Sequence, residues 1–238
     1  MSTDFHDPDA FYVNTPSIKP RHEVPSAPPP TPDPLIARVK EQTDSDFTTT
    51  ATISIQHPTN VVDGDTLVLV VMHRDSLTTP TGWTLELNET HESTQEISVF
   101  SKTRASGDTG TLNITQATSQ RTGASMIAFD DAVSLGSFTS RSSTEADDIT
   151  FANITNPNAY STYMLHIVDF FLTGSTQYAF PCQEYAPLSR IQGDASNICR
   201  LSVHGRVFGA SEVQTPYMQK SPANGDPVWS VYVPVTVD

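Results

Sequence analysis

Apolar and polar positions along this chain alternate with the period of a strand rather than that of a helix. ATISIQ (51–56) sets Ile53 and Ile55 on one face, the mark of a half-buried strand. DTLVLVVMHR (65–74) is a continuous apolar run of strand length. It predicts a central strand buried on both faces. WTLEL places Trp83, Leu85 and Leu87 together, and EISVFSKTR, TLNITQ and GASMIAFDD follow at regular spacing with Gly, Asp or Ser between them. ITFANIT, STYMLHIVDFF, NICRLSVHGRVFG and WSVYVPVTVD continue the series. Short strands divided by turn residues predict an all-β chain, an antiparallel β-sandwich of jelly-roll-like kind. LIARVKEQ (35–42) alone reads differently, as at most two helical turns.

The strands also fall into two sets of similar character. TLVLVVMHR near 66 matches TYMLHIVDF near 162, EISVFSKTR near 96 matches ICRLSVHGR near 198, and GASMIAF near 123 matches WSVYVPV near 229. Two readings stay open: a duplication giving two similar half-sandwiches, or the ordinary likeness of one β-strand to another.

Residues 1–40 are set apart as an extended arm, and 41–238 form the sandwich domain. Half of the 18 prolines lie between Pro8 and Pro34. PSAPPPTPDP, with Pro28, Pro29 and Pro30 in a row, is held to polyproline II or extended coil. Such a segment buries too little surface to fold alone. Phe5, Phe11, Tyr12, Val13 and Ile18 are apolar anchors spaced along it. A disordered terminus is one reading. The sharper one is an arm that orders on a neighbouring subunit, its entropic cost reduced by the prolines.

Charge narrows the partners. Asp and Glu number 27 against 13 Lys and Arg, a formal charge of -14. That argues against nucleic acid, which is bound through counterion release, and against an anionic membrane surface. No apolar run reaches the length that spans a bilayer. MSTDFHDPDAFYV has no basic or apolar signal region, so no secretory signal is expected.

Candidate chemistry is sparse, and the chain reads as a non-enzyme. There is no Gly-x-Ser-x-Gly and no nucleotide-binding glycine loop, and no motif asks for a cofactor. His6, His22, His57, His73, His91, His166 and His204 show no metal-ligand spacing. His73, His166 and His204 lie inside predicted strands, where a satisfied core residue is the first reading and convergence on a metal the second. Asp63-Gly64-Asp65 carries only part of a calcium loop and reads as a tight turn with Gly64 at positive φ. Asp130-Asp131 and Asp147-Asp148 are either a glycosidase pair or charges that discourage edge pairing. Cys182 and Cys199 are half-buried thiols first, a disulfide between neighbouring strands second and a metal site last. Trp83 and Trp229 read as core anchors, whereas Tyr217, in TPYMQKSPANGDP, is a candidate for surface or ligand contact.

From Asp63 to Phe129 the chain resembles a β-sandwich module of tailed-bacteriophage virion proteins and related bacterial surface or prophage proteins. The matching residues are Gly64, Asp65 and Leu67, then Pro80, Gly82, Trp83, Thr84 and Leu85, then Phe100, Lys102 and Ala105. Phe100 stands where the module has Tyr, and Ala105 follows an insertion. The likeness covers roughly residues 61–130. It implies a virion location and a structural role as head decoration, tail fibre or baseplate attachment, with no catalytic residues. Phage capsid or tail proteins would be the partners, and a homo-oligomer, a trimer first, the assembly. A glycan-binding module for host recognition is the alternative, with Tyr160, Tyr163, Tyr178, Tyr185 and Tyr217 available for stacking. A surface-polysaccharide depolymerase stands behind both.

Overall fold

Strands make up almost all of the regular structure. This computed structural model describes residues 36–91, 95–143, 148–150, 152–171, 186–192, 199–215, 217–219 and 228–238, all within one compact unit, Asp33–Asp238. Among the described residues there is no helix. The first part of the chain supplies β1 (Arg38–Asp44), β2 (Thr48–Gln56), β3 (Thr66–His73), β4 (Thr84–His91), β5 (Gln95–Thr103) and the 20-residue β6 (Thr111–Asp130). Short strands follow: β7 (Val133–Leu135), β8 (Thr139–Ser143), β9 (Asp148–Thr150) and β10 (Ile154–Thr155). The last part adds β11 (Thr162–Phe171), β12 (Ala186–Gln192), β13 (Cys199–Phe208), β14 (Val213–Gln214), β15 (Tyr217–Gln219) and β16 (Val228–Val237).

Among the described residues these strands form two six-stranded antiparallel sheets. The first runs β1-β6-β3-β5-β4, with β2 also on β6; the second runs β12-β13-β11-β16-β7, with β8 also on β16. Two two-stranded pairs, β10-β14 and β15-β9, lie outside them. Both large sheets use one connectivity: β6-β3-β5-β4 in the first has the same order as β16-β11-β13-β12 in the second. Their registers correspond as well. Val70 lies opposite Val99 and Ser125, and Ile167 lies opposite Val203 and Val231.

Alternation along the strands builds the core. Val68, Val70 and Met72 of β3 point one way, into a buried cluster shared with Leu165 and Ile167 of β11 and Val231 and Val233 of β16. The two sheets therefore meet face to face. Leu67, Leu69 and Val71 point the other way, against Ile53 and Ile55 of β2, Ile114 of β6 and Trp83. All eight residues of β3 are buried, as its unbroken apolar run predicts. Each such aliphatic side chain contributes roughly 1.5–3 kcal/mol on burial. Strand β6 serves both layers. Its first part pairs with β2 and its last part with β3. TLNITQ and GASMIAFDD are thus one strand rather than two. The register slips opposite Thr50 and Thr52, where the Gln116 side-chain amide donates to the Thr50 and Gln120 carbonyls.

The helix expected over LIARVKEQ is not formed. Ile36 makes a bridge with Thr236 and Arg38 opens β1. The reason is tertiary: as a strand the segment pairs with the edge of β6 and sends Ala37 and Val39 into the core between the sheets. Pairing and burial outweigh a weak local helix preference. Strand pairing so begins inside the segment assigned by sequence to the arm. Phe5, Phe11, Tyr12, Val13, Ile18 and Pro28 to Pro30 lie outside the described residues.

Two turns feed the first sheet. Gly64 takes φ 102° and leads into β3. Asp65 beside it is buried, and its carboxylate accepts from Lys40 Nζ at 3.0 Å, Val62 N at 2.8 Å and Asp131 N at 3.3 Å. It fastens the start of β3 to β1 and to the end of β6. In the second turn the Trp83 N–H donates to the Pro80 carbonyl at 3.1 Å, and Gly82 takes φ 80°. A left-handed residue at that position defines a type II turn, and it delivers Trp83, only 7% exposed, to the second cluster. Gly82→Val is expected to lower stability by about 1–2 kcal/mol through backbone strain. Urea unfolding checks this, and an unchanged midpoint would contradict the turn.

Candidate functional site

The two sheets carry opposite chemistry on faces that correspond. In the first sheet, Leu69 sits between Phe100 and Met126, and all three are apolar core. In the second, the position of Leu69 is taken by His166, between His204 and Tyr232. Leu165 and Ile167 point into the core between the sheets, so alternation sends His166 to the opposite face. His166, His204 and Tyr232 are all at most 1% exposed. The His166 ring stacks on Tyr232 with centroids 4.1 Å apart and lies 5.9 Å from His204. Ser202 Oγ is 3.0 Å from His204 Nε2. Buried Ser202 and Ser230 flank the row through Val168. A buried polar row where the sister sheet is apolar costs desolvation, and Tyr232 beside it packs with Ile154, Met164 and Phe208.

Burial pushes the His166 pKa well below its ordinary 6.5, and the neighbouring His204 adds to the shift. His73 in β3 is lowered as well, chiefly by burial. Its Nδ1 is 2.7 Å from the Asp75 carbonyl and its Nε2 is 2.8 Å from Ser98 Oγ, a satisfied core histidine. A base whose folded pKa is depressed is protonated first in the unfolded chain. Stability is therefore full above pH 6.5 and falls as pH drops from there toward the lowered folded values. The melting temperature is expected to decline steadily from pH 7 toward about pH 5. His166→Leu is expected to flatten that decline. An equal slope in the variant would contradict the assignment.

The next pair on the same face, Met164 opposite Pro234, lines a cleft of about 270 Å³. Strand β8 forms one side: Thr139 lies opposite Tyr232 and Arg141 opposite Ser230. Met164 and Pro234 line it as apolar surface, and Asn153, Ile154, Thr155 and Pro157 form a further wall. Asn156, 1% exposed, braces that wall. Its side-chain amide donates to the Tyr160 and Gly209 carbonyls, each at 2.9 Å, and its oxygen accepts from Asn158 N at 3.1 Å. Glu212 holds the next turn by accepting from Gly209 N at 2.5 Å and Arg206 Nη2 at 2.9 Å. The Gly209 hydrogen bond is the main reason its carboxyl pKa is lowered.

The residues singled out by sequence fall elsewhere. Gly64, Asp65, Gly82 and Trp83 shape the first sheet. Trp229 is half-buried in β16 and stacks on His91, centroids 5.3 Å apart. Tyr163 packs edge-on against Phe129, whereas Tyr160 is 38% exposed. Tyr217 belongs to β15, which pairs with β9; its side chain, with Tyr178, Tyr185, Asp147 and Cys182, lies outside the described residues. Asp130 accepts from Lys40 Nζ at 3.2 Å. His73 lies in the first sheet, apart from His166 and His204. Among the described residues no three His, Cys, Asp or Glu side chains gather to hold a metal. Sequence reasoning missed Arg141 and gave no weight to Asn153, which it met only as one of three Asn-x-Thr sites with Asn88 and Asn113. The one signal available was histidine placed inside strands of otherwise apolar character.

Comparison with known proteins gives no match: no protein-family model matches the chain, no curated protein matches it and no solved structure matches it.

Proposed function

We propose that this chain is a non-enzymatic structural protein of a tailed-phage virion. It attaches to neighbouring virion subunits through its N-terminal arm and presents a jelly-roll-like β-sandwich outward, as capsid decoration or as a short tail- or baseplate-attached protein. The phage assignment rests on the resemblance over residues 61–130. The observation that supports attachment is the way the chain enters the body. Ile36 bridges to Thr236 of the second sheet, and β1 pairs with β6 of the first. Assembly as a homo-oligomer, a trimer first, belongs to the same reading. Sedimentation of particles through a density gradient tests it. The protein is expected to band with the particles at a fixed ratio to the major capsid protein, and its recovery only in the soluble fractions would contradict the proposal.

A second reading is recognition of a host-surface glycan. The cleft beside β8 favours it, with hydroxyl, amide and guanidinium groups around an apolar floor. Protein sites for small polar ligands have this composition.

A further inference from the structure

We propose that the cleft between β4 and segment 76–79, on the outer face of the first sheet, receives the side chain of a lysine carried by a partner protein, with Glu96 as the ammonium anchor. This stands apart from the virion and glycan readings.

A chain of hydrogen bonds leads from the core to this cleft. His73 Nδ1 lies 2.7 Å from the Asp75 carbonyl, and its Nε2 lies 2.8 Å from Ser98 Oγ. Ser98 Oγ donates to Asn88 Oδ1 at 2.6 Å, and Asn88 Nδ2 donates to Glu96 Oε2 at 3.1 Å. Strand register builds the row: Asn88 lies opposite Ser98, and Glu96 opposite His73. Both ends of the chain, a carbonyl and a carboxylate, only accept. Each of the four contacts needs a proton. Ser98 gives one, and Asn88 gives one because its N–H groups lie on one side of the amide. The ring must supply the other two, which only an imidazolium can do. Burial lowers the His73 pKa from 6.5, so at pH 7 the ring is neutral and one proton is missing. A gap beside the buried ring is the costly place for it. Turning over the Asn88 amide moves the gap to the exposed end. There Asn88 Oδ1 meets Glu96 Oε2, and the two acceptors call for a donor from the cleft.

The cleft lining selects an ammonium on an aliphatic stem. Glu96 and Asn88 both line it, with Ser76, Thr79, Leu77 and Leu85. Asn88 is exposed and Glu96 partly so, so each has surface to offer. An ammonium brings three donors, enough for both oxygens, and a charge that water lacks. Asp75 and Glu96 are the charged groups acting on the His73 ring, and both are negative. Residues 92–94, which join β4 to β5, are Glu, Ser and Thr and hold no cation. A compact ammonium suits oxygens on two different side chains, whereas the guanidinium fork suits the two of one carboxylate. Leu85, 46% exposed, and Leu77 give the methylenes an apolar surface. A volume of about 300 Å³ admits one such side chain. The formal charge of -14 steers a basic partner toward the chain.

The test titrates the full chain with Nα-acetyl-L-lysine N-methylamide and with its norleucine counterpart, which keeps the stem and lacks the ammonium. Amide NMR shifts follow binding. The lysine compound is expected to give saturable shifts at Leu77, Asn88 and Glu96, and the norleucine compound to bind at least tenfold more weakly. Glu96→Gln is expected to weaken lysine binding tenfold or more and to leave norleucine binding unchanged. Asn88→Ala, at an exposed position, should weaken it severalfold and decides the matter if the Gln variant melts early. Saturation with the lysine compound is also expected to shift the His73 ring titration downward, because the ligand and the ring proton fill the same gap. Equal binding of both compounds, or lysine binding untouched by Glu96→Gln in a folded protein, would overturn the ammonium anchor. An unmoved His73 titration would overturn the link to the ring. No saturable shift with the lysine compound would overturn the site.

Discussion

Deleting residues 1–35 is expected to leave the melting temperature of the body unchanged and to abolish its banding with particles. Among the described residues, strand pairs and core clusters begin at Ile36. The cut leaves intact the Ile36–Thr236 bridge, the pairing of β1 with β6 and the Lys40–Asp65 ion pair. A deletion to residue 44 makes the contrast. It strips β1 from β6, removes Ala37 and Val39 from the core and leaves Asp65 buried without its lysine. That variant is expected to lose about 3 kcal/mol or more, from lost burial and a buried carboxylate without its partner. The two cuts separate anchoring from folding. If the shorter deletion still bands with particles at the normal ratio, the arm is not the anchor.

Gly205→Val is expected to be the most damaging single change in the second sheet. A Cβ at Gly205 would fall on the Tyr163 ring, within contact distance of its Oη and Cζ. The ring cannot swing away freely, because it packs edge-on against Phe129 at 5.8 Å and is half-buried beside the central core. Burial also raises the Tyr163 pKa to about 12, so the phenol stays protonated at any ordinary pH. Overpacking of this kind costs about 1–3 kcal/mol for Gly205→Ala and more for the branched valine. In a Tyr163→Leu background the cost of Gly205→Ala should shrink, a coupling that a double-mutant cycle in urea measures. Equal costs in both backgrounds would contradict the contact.

Much of the first sheet was legible because its signals are local. The apolar run of β3 is bounded by Asp63-Gly64-Asp65, and Pro80-Thr81-Gly82 announces the turn before Trp83. Strand β1 was misread because its identity depends on the distant edge of β6, which no local preference reports. The division of β6 into two followed from the Thr- and Gln-rich stretch at its slip, which reads as a break although the strand runs through. ITFANIT likewise separates into the end of β9 and all of β10. The polar row was illegible for a different reason. His166, His204 and Tyr232 are adjacent only through the register of β11 with β13 and β16. Simple alignment of TLVLVVMHR with TYMLHIVDF sets Leu69 beside Leu165, one residue from the correspondence that the register gives. A slip of one residue exchanges the faces of a strand, and it hides the replacement of Leu69 by His166. Arg141 sits in TSRSS, where nothing in the sequence marks it as facing a cleft.

Electron microscopy of particles from the source culture, labelled with gold-tagged antibody against the full chain, tests the central claim most directly. The account predicts label on the particles, spread over the head for a decoration protein or confined to the tail or its tip for an attached one. Particles that remain bare, while the antibody detects the protein free in the same lysate, would contradict it.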